Sequence, residues 1–194
     1  MRTLLLFRGA PGCGKSTYIK EHNLEQYVLS ADTLRLMCQS AQETPAGQME
    51  ISPQNDDVVW EMLFKLLEVR MSHGEFTVID ATNSKTVEMN RYKNLAKQYR
   101  YRMYVIDMTD LPIEECKRRN AQREWLKRVP EAAIDKMYAR FATQKVPSGV
   151  TVLPSTTDVM SDLNYCPNDF NQWKKIHVIG DVHGCYTCLS EYLG

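Results

Sequence analysis

No apolar run in this 194-residue sequence approaches the length of a membrane span. The Leu4-Leu5-Leu6-Phe7 run is also too short for a signal peptide, so a reducing cytoplasm is the natural setting. Cysteine is present but unorganised. The six residues, at 13, 38, 116, 166, 185 and 188, have no spacing that reads as a secreted disulfide framework. Cys185-x-x-Cys188 is a single pair without the second half of a zinc site. No internal repeat or low-complexity tract occurs, and neither sign of charge is in surplus, with 24 Lys and Arg against 24 Asp and Glu. These absences argue against a membrane-spanning protein, a disulfide scaffold and a repeat array. What remains is an ordinary globular composition, 43% hydrophobic and 25% charged, at a length suited to one domain with some residues over.

The neutrality is only global. Between Arg91 and Lys145 there are 14 Lys and Arg against 7 Asp and Glu, so one part of the chain is basic and the rest acidic. Such a split suits a face prepared for phosphate groups, although a solvated helix surface would look the same.

The most informative stretch is Gly9-Ala10-Pro11-Gly12-Cys13-Gly14-Lys15-Ser16, followed by Thr17, which satisfies G-x-x-x-x-G-K-[ST] in full. An apolar run, Thr3 to Phe7, precedes it, and Thr17 to Glu21 reads as a helix. A strand feeding a glycine-rich turn into a helix aims backbone N–H groups and the positive helix end at one place, which suits a polyanion. Lys15 would reach the β- and γ-phosphates and Ser16 would hold Mg²⁺, so ATP or another nucleoside triphosphate is the expected ligand.

Further strands are expected at Gln26–Ser30, Phe76–Asp80, Met103–Met108 and Gly149–Leu153. Helices are expected from Ala31 through Met37, over Val58–Met71, from an N-cap at Ser84 to about Tyr99, after Pro112, and from Pro130 to about Phe141. Residues 41–56 carry Pro45, Gly47 and Pro53 without a period and read as a loop. Alternating helices and continuous apolar strands imply an α/β domain with a mostly parallel central sheet flanked by helices, and with the glycine-rich loop the domain resembles the P-loop NTPases of the adenylate kinase-like kind. It should fill residues 1–153. Residues 154–174 read as a linker or wrapping segment, and 175–194 as the opening strand of something further.

Ligands of parallel sheets sit at the carboxyl ends of strands, which makes Asp32 the first candidate base. Arg35, three residues on, faces the same way and could clamp a phosphate of the acceptor; an Asp N-cap with a surface Arg is the plainer alternative. Asp80 ends a strand and could contact the Mg²⁺ shell, cap the next helix or touch the acceptor. Arg119 and Arg123 are four apart and could neutralise charge on a transferred phosphoryl group, or Arg119 could simply pair with Glu115 on a solvated face.

Taken together, these pieces resemble the kinase module of the polynucleotide kinase/phosphatase family of phages and bacterial RNA-repair enzymes. The resemblance spans about Met1 to Leu153. It rests on the loop through Thr17, Asp32-x-x-Arg35, Asp80-Ala81-Thr82-Asn83, Arg119-Asn120-x-x-Arg123 and Arg128-Val129-Pro130. It implies transfer of the γ-phosphate of ATP to a 5′-hydroxyl of RNA or DNA. Asp32 would be the general base and Arg35 the holder of the acceptor phosphate. Arg119 and Arg123 would be lid arginines over the donor, and Asp80, Asn83 and Val129 acceptor contacts.

Gly180-Asp181-Val182-His183-Gly184 resembles the first signature of binuclear metallophosphoesterases, although Asp181 and His183 could be ordinary turn residues. The later ligands have no room, so phosphatase activity is not expected, while phosphatase and ligase modules would be expected in a longer chain. Two other readings stand beside the polynucleotide kinase. One is a P-loop kinase acting on a small phosphorylated or hydroxylated metabolite, and the other a nucleotide-gated switch that turns over slowly.

Overall fold

Thr3–Arg8 forms the central strand β1, and all six of its residues are buried because both faces of the sheet are covered. In the computed structural model the described residues are 2–43, 47, 49–163 and 191. The glycine-rich turn leads into α1 (Lys15–Glu21). After it come β2 (Val28–Ser30), α2 (Ala31–Cys38), and the two-residue strands β3 (Gln42–Glu43) and β4 (Met49–Glu50). The long helix α3 (Asp56–Ser72), β5 (Thr77–Asp80), α4 (Thr86–Gln98) and β6 (Arg102–Asp107) follow. The chain continues through α5 (Ile113–Ala121), α6 (Glu131–Thr143), β7 (Thr151–Pro154) and α7 (Val159–Asp162).

The main sheet has the order β2-β5-β1-β6-β7, with every pairing parallel, so the expected α/β architecture is found. Alternation along β1 builds two cores. Leu4 and Leu6 pack with Leu63, Leu67 and Met89 on the side of α2, α3 and α4. Leu5 and Phe7 pack with Tyr18, Cys116, Ile134 and Val159 on the side of α1, α5, α6 and α7. Among the described residues no helix is long and apolar enough to cross a membrane.

Several expectations need correction. Gln26 and Tyr27 belong to a 3₁₀ turn, Glu25–Tyr27, which shortens β2 to three residues. The stretch read as a loop contains the antiparallel β3–β4 pair, whose two-residue strands are too short for any period to show. Ser84 is buried and does not cap α4; that position falls to Lys85. On α3, Val59, Leu63, Leu67 and Met71 face the core, whereas Met62 and Leu66 are exposed. Beyond β7, Val159 is buried in the second core, and the Tyr18 hydroxyl donates to the carbonyl of Thr157. The expected strand at 175–179 and the Gly180–Gly184 signature lie outside the described residues.

One part-buried ion pair joins β1, β6 and the end of α6. Arg8, only 5% exposed, donates from Nη1 to Asp107 Oδ2 at 2.8 Å across the β1–β6 pairing. Its Nη2 reaches the carbonyls of Phe141 and Gln144 at 3.3 and 2.6 Å, holding the carboxyl end of α6. Removing the cation leaves Asp107 with only the Thr109 amide on Oδ1 and takes the guanidinium from two carbonyls. Arg8→Met is therefore expected to cost about 3 kcal/mol of unfolding free energy, read as a lower urea midpoint at unchanged slope.

Candidate active site

The turn between β1 and α1 is held by backbone geometry. Gly12 has φ +86° and Gly14 φ +108°, conformations that a side chain disfavours. A Cβ on Gly12 would also lie 2.2 Å from the carbonyl oxygen of Cys116, so the loop rests directly on the backbone of α5. The Gly9 amide donates to the Thr82 carbonyl at 3.2 Å, joining the loop to the segment after β5. The Lys15 ammonium donates to the carbonyls of Gly9 and Ala10, both at 2.9 Å, and lies 3.5 Å from Cys13 Sγ. A thiol is a weak acceptor, so a phosphate oxygen can take that third donor position without unmaking the loop.

A cleft of about 760 Å³ opens at the carboxyl ends of the strands. Pro11, Gly12 and Gly14 through Thr17 line it, and Asp32, Arg35, Asp80, Arg119, Arg123 and Val129 line it with them. Gly9, Ala10 and Cys13 do not. Ala10 and Cys13 are buried in the second core, so their part in the expected nucleotide site is to shape the loop.

Asp32 sits in the first turn of α2, but the N-cap is Ser30, whose hydroxyl accepts from the Thr33 amide at 3.5 Å. The capping alternative for Asp32 is thereby removed. Its Oδ1 instead accepts from Arg35 Nη1 at 2.6 Å, and Arg35 Nε donates to Asp56 Oδ1 at 2.7 Å. Arg35 is mostly covered, with 18% of its side chain exposed, whereas 65% of the Asp32 side chain is exposed.

Asp80 lies opposite Ser30 in the β2–β5 register and does not cap α4. Burial pushes its carboxyl above the usual carboxylate range; the charge of Lys15 opposes this, Asp32 adds to it and Arg123 opposes it. A carboxylate so placed gains from a further cation. Among the described residues no group of three or more His, Cys, Asp or Glu could hold a metal alone. Mg²⁺ commonly binds through one or two protein oxygens plus substrate phosphates, and the Ser16 hydroxyl and Asp80 carboxylate fit that donor set.

Arg119 lies on α5 and Arg123 in the turn after it. Glu115 accepts from Arg119 Nε at 2.6 Å and from Arg118 Nε and Nη2, both at 2.7 Å. Hydrogen bonds from Arg118 and then Arg119 hold the Glu115 carboxyl down at about 2. The two readings of Arg119 are thus compatible, because pairing through Nε leaves its end-on edge toward the glycine-rich loop. Its Nη1 lies 3.9 Å from where a Cβ on Gly14 would stand. Arg123 lies beyond the end of α5, and its carbonyl accepts from Arg128 Nε at 2.8 Å. Val129 is fixed at both polar atoms: Asn120 Nδ2 donates to its carbonyl at 2.8 Å and its amide donates to Asn120 Oδ1 at 3.1 Å.

Asn83 departs from its expected role as an acceptor contact. It is 3% exposed, has φ +45°, and donates from Nδ2 to the Phe7 carbonyl at 2.6 Å, so it bolts the post-β5 turn to β1 and does not line the cleft. Sequence reasoning missed Asp56 and Trp60, which line the cleft from α3. Asp56 falls at the end of the stretch read as a loop, whereas α3 in fact begins there, so its helical spacing to Trp60 does not show in the sequence.

A family model described as AAA domain matches residues 4–144. No curated protein matches the chain in a sequence search. Among solved structures, a candidate kinase from Chloroflexus aurantiacus is 16% identical with TM-score 0.54, covering 84% of this chain and 92% of that one. A sugar kinase from Janibacter sp. HTCC2649 is 16% identical with TM-score 0.52, covering 81% and 87%. At those identities the likeness is one of fold. A chain of the Pnkp1/Rnl/Hen1 complex is 25% identical with TM-score 0.50; the match covers 60% of this chain and 38% of that one.

Proposed function

We propose that this chain, which belongs to the AAA domain family and has the fold of P-loop kinases, is a polynucleotide 5′-hydroxyl kinase that uses ATP. The observation that carries the reading is that one cleft is lined by the glycine-rich loop and two arginines and also by a carboxylate paired with an arginine. The first set suits a triphosphate donor. The second suits an acceptor that brings both a hydroxyl and a phosphate, as the end of a nucleic-acid strand does. The similarity to a chain of the Pnkp1/Rnl/Hen1 complex gives weak further support.

In this reading Lys15 and the loop amides hold the β- and γ-phosphates in line with the acceptor. Asp32 orients the acceptor hydroxyl and takes its proton as the oxygen attacks the γ-phosphorus and the bond to ADP breaks. Arg119 and Arg123 neutralise charge on the equatorial oxygens. Ser16 and Asp80, which both line the cleft, are the residues that would hold Mg²⁺, and the ion would supply positive charge to the donor phosphates. The proposed setting is the cytoplasm.

A kinase of small metabolites would share the donor half, so the acceptor half must be tested. With [γ-³²P]ATP supplied, label should pass to a 5′-hydroxyl oligonucleotide and not to a panel of sugars and sugar phosphates; the reverse pattern would select the metabolite reading. Oligonucleotide affinity should also weaken with salt, its logarithm falling by about 0.7 per phosphate contacted for each logarithmic unit of salt. A salt-independent affinity would contradict the role given to Arg35 and the basic 91–145 stretch.

A further inference from the structure

The first turns of α3 are not used by the chemistry above, yet they wall the cleft beside Arg35. Asp56 and Trp60 are one helical turn apart, share a face, and both line the cleft. Asp56 holds Arg35 by Nε at 2.7 Å while Asp32 occupies Nη1 at 2.6 Å. Arg35 therefore cannot present both Nη groups to a phosphate while it also pairs with Asp32. Anchored at Nε, its end-on edge can exchange Asp32 for a phosphate without the guanidinium leaving its place. That exchange frees the Asp32 carboxylate just as an acceptor arrives. Trp60 is half-buried, packed against the core of α2, α3 and α4, so its ring is a fixed aromatic surface in the cleft wall.

Building on the kinase reading, we infer that Asp56 and Trp60 form an acceptor subsite for a phosphate with a neighbouring nucleobase: Asp56 aims Arg35 at the phosphate and Trp60 stacks on the base. Asp56 is a positioning residue, acting through Arg35. A sugar phosphate would satisfy Arg35 and leave Trp60 without a ring to cover. Stacking on an aromatic side chain tolerates any base, so the subsite selects a nucleic-acid end without selecting its sequence.

The test is steady-state kinetics on 5′-hydroxyl oligonucleotides, with and without a base on the 5′-terminal nucleotides. Trp60→Ala should raise the acceptor KM about ten- to a hundred-fold, with kcat and the KM for ATP little changed. Trp60→Phe should recover most of the loss, and on the abasic acceptor wild type and Trp60→Ala should converge. Asp56→Ala should raise the KM for a nucleoside 3′-phosphate but not for the nucleoside alone. An unchanged acceptor KM in Trp60→Ala, or a penalty that persists on the abasic acceptor, would overturn the stacking role. An Asp56→Ala penalty equal for both nucleosides would overturn the positioning role. If wild type phosphorylates no oligonucleotide, the kinase reading itself falls, an outcome distinct from these.

Discussion

Asp32→Asn is expected to lower kcat for phosphoryl transfer by about 10²–10⁴-fold while leaving ATP affinity within about two-fold. The expectation follows from where Asp32 stands. It belongs to α2, on a different element from the loop and the arginines that would hold the donor, and it lines the same cleft with most of its side chain exposed. Asparagine can still accept the hydrogen bond from Arg35 Nη1, so the α2–α3 wall should keep its shape; an unchanged thermal midpoint would confirm this. What asparagine cannot do is take a proton from an attacking hydroxyl. A slow nucleotide-gated switch would behave differently, because it has no acceptor for Asp32 to activate. Unchanged turnover in Asp32→Asn, with ATP binding retained, would favour the switch.

Arg119→Ala should produce the second-largest loss, about 10²–10³-fold in kcat, as expected when one preorganised donor is removed from a developing charge. Glu115 occupies Arg119 Nε and fixes the direction of the remaining donors, close to Gly14 and therefore close to where the loop would hold phosphate. A lysine at 119 would carry the charge but not the planar fork, so Arg119→Lys should recover only part of the loss. Glu115 itself pairs at the surface, and Glu115→Gln keeps an acceptor for the same bond, so its effect should be far smaller. Single-turnover transfer, measured with the donor saturating, separates these effects from nucleotide binding. Equal losses in Glu115→Gln and Arg119→Ala would mean that the arginine acts through the fold of α5 instead of at the phosphate.

The features legible in the sequence are those whose geometry is local. The glycine-rich loop needs only its neighbouring strand and helix, and Asp32 and Arg35 need only one helical turn to face the same way. What stayed hidden depends on contacts between distant residues. Asp56 is 21 residues from the arginine it holds, and nothing in its own surroundings announces the pairing. Trp60 fits a helical pattern equally well as a core residue or a cleft wall, and only the packing of α2 on α3 decides between them. Asn83 shows the converse error. It sits in a suggestive run, Asp80-Ala81-Thr82-Asn83, but its amide is spent on a carbonyl 76 residues away. Ser84 has the chemistry of a cap and lacks the position, because burial withdraws it from the helix end.

The central claim, that this cleft transfers the γ-phosphate of ATP to the 5′ end of a nucleic acid, is tested most directly by following the fate of that phosphate. Wild-type protein, [γ-³²P]ATP, Mg²⁺ and matched RNA and DNA oligonucleotides bearing either a 5′-hydroxyl or a 5′-phosphate would be incubated, and the products digested to terminal nucleotides. The account predicts label at the 5′ terminus of the 5′-hydroxyl strands, none on the 5′-phosphate strands, and its loss with Asp32→Asn. Folded, ATP-binding protein that transfers no label to any 5′-hydroxyl end would contradict it.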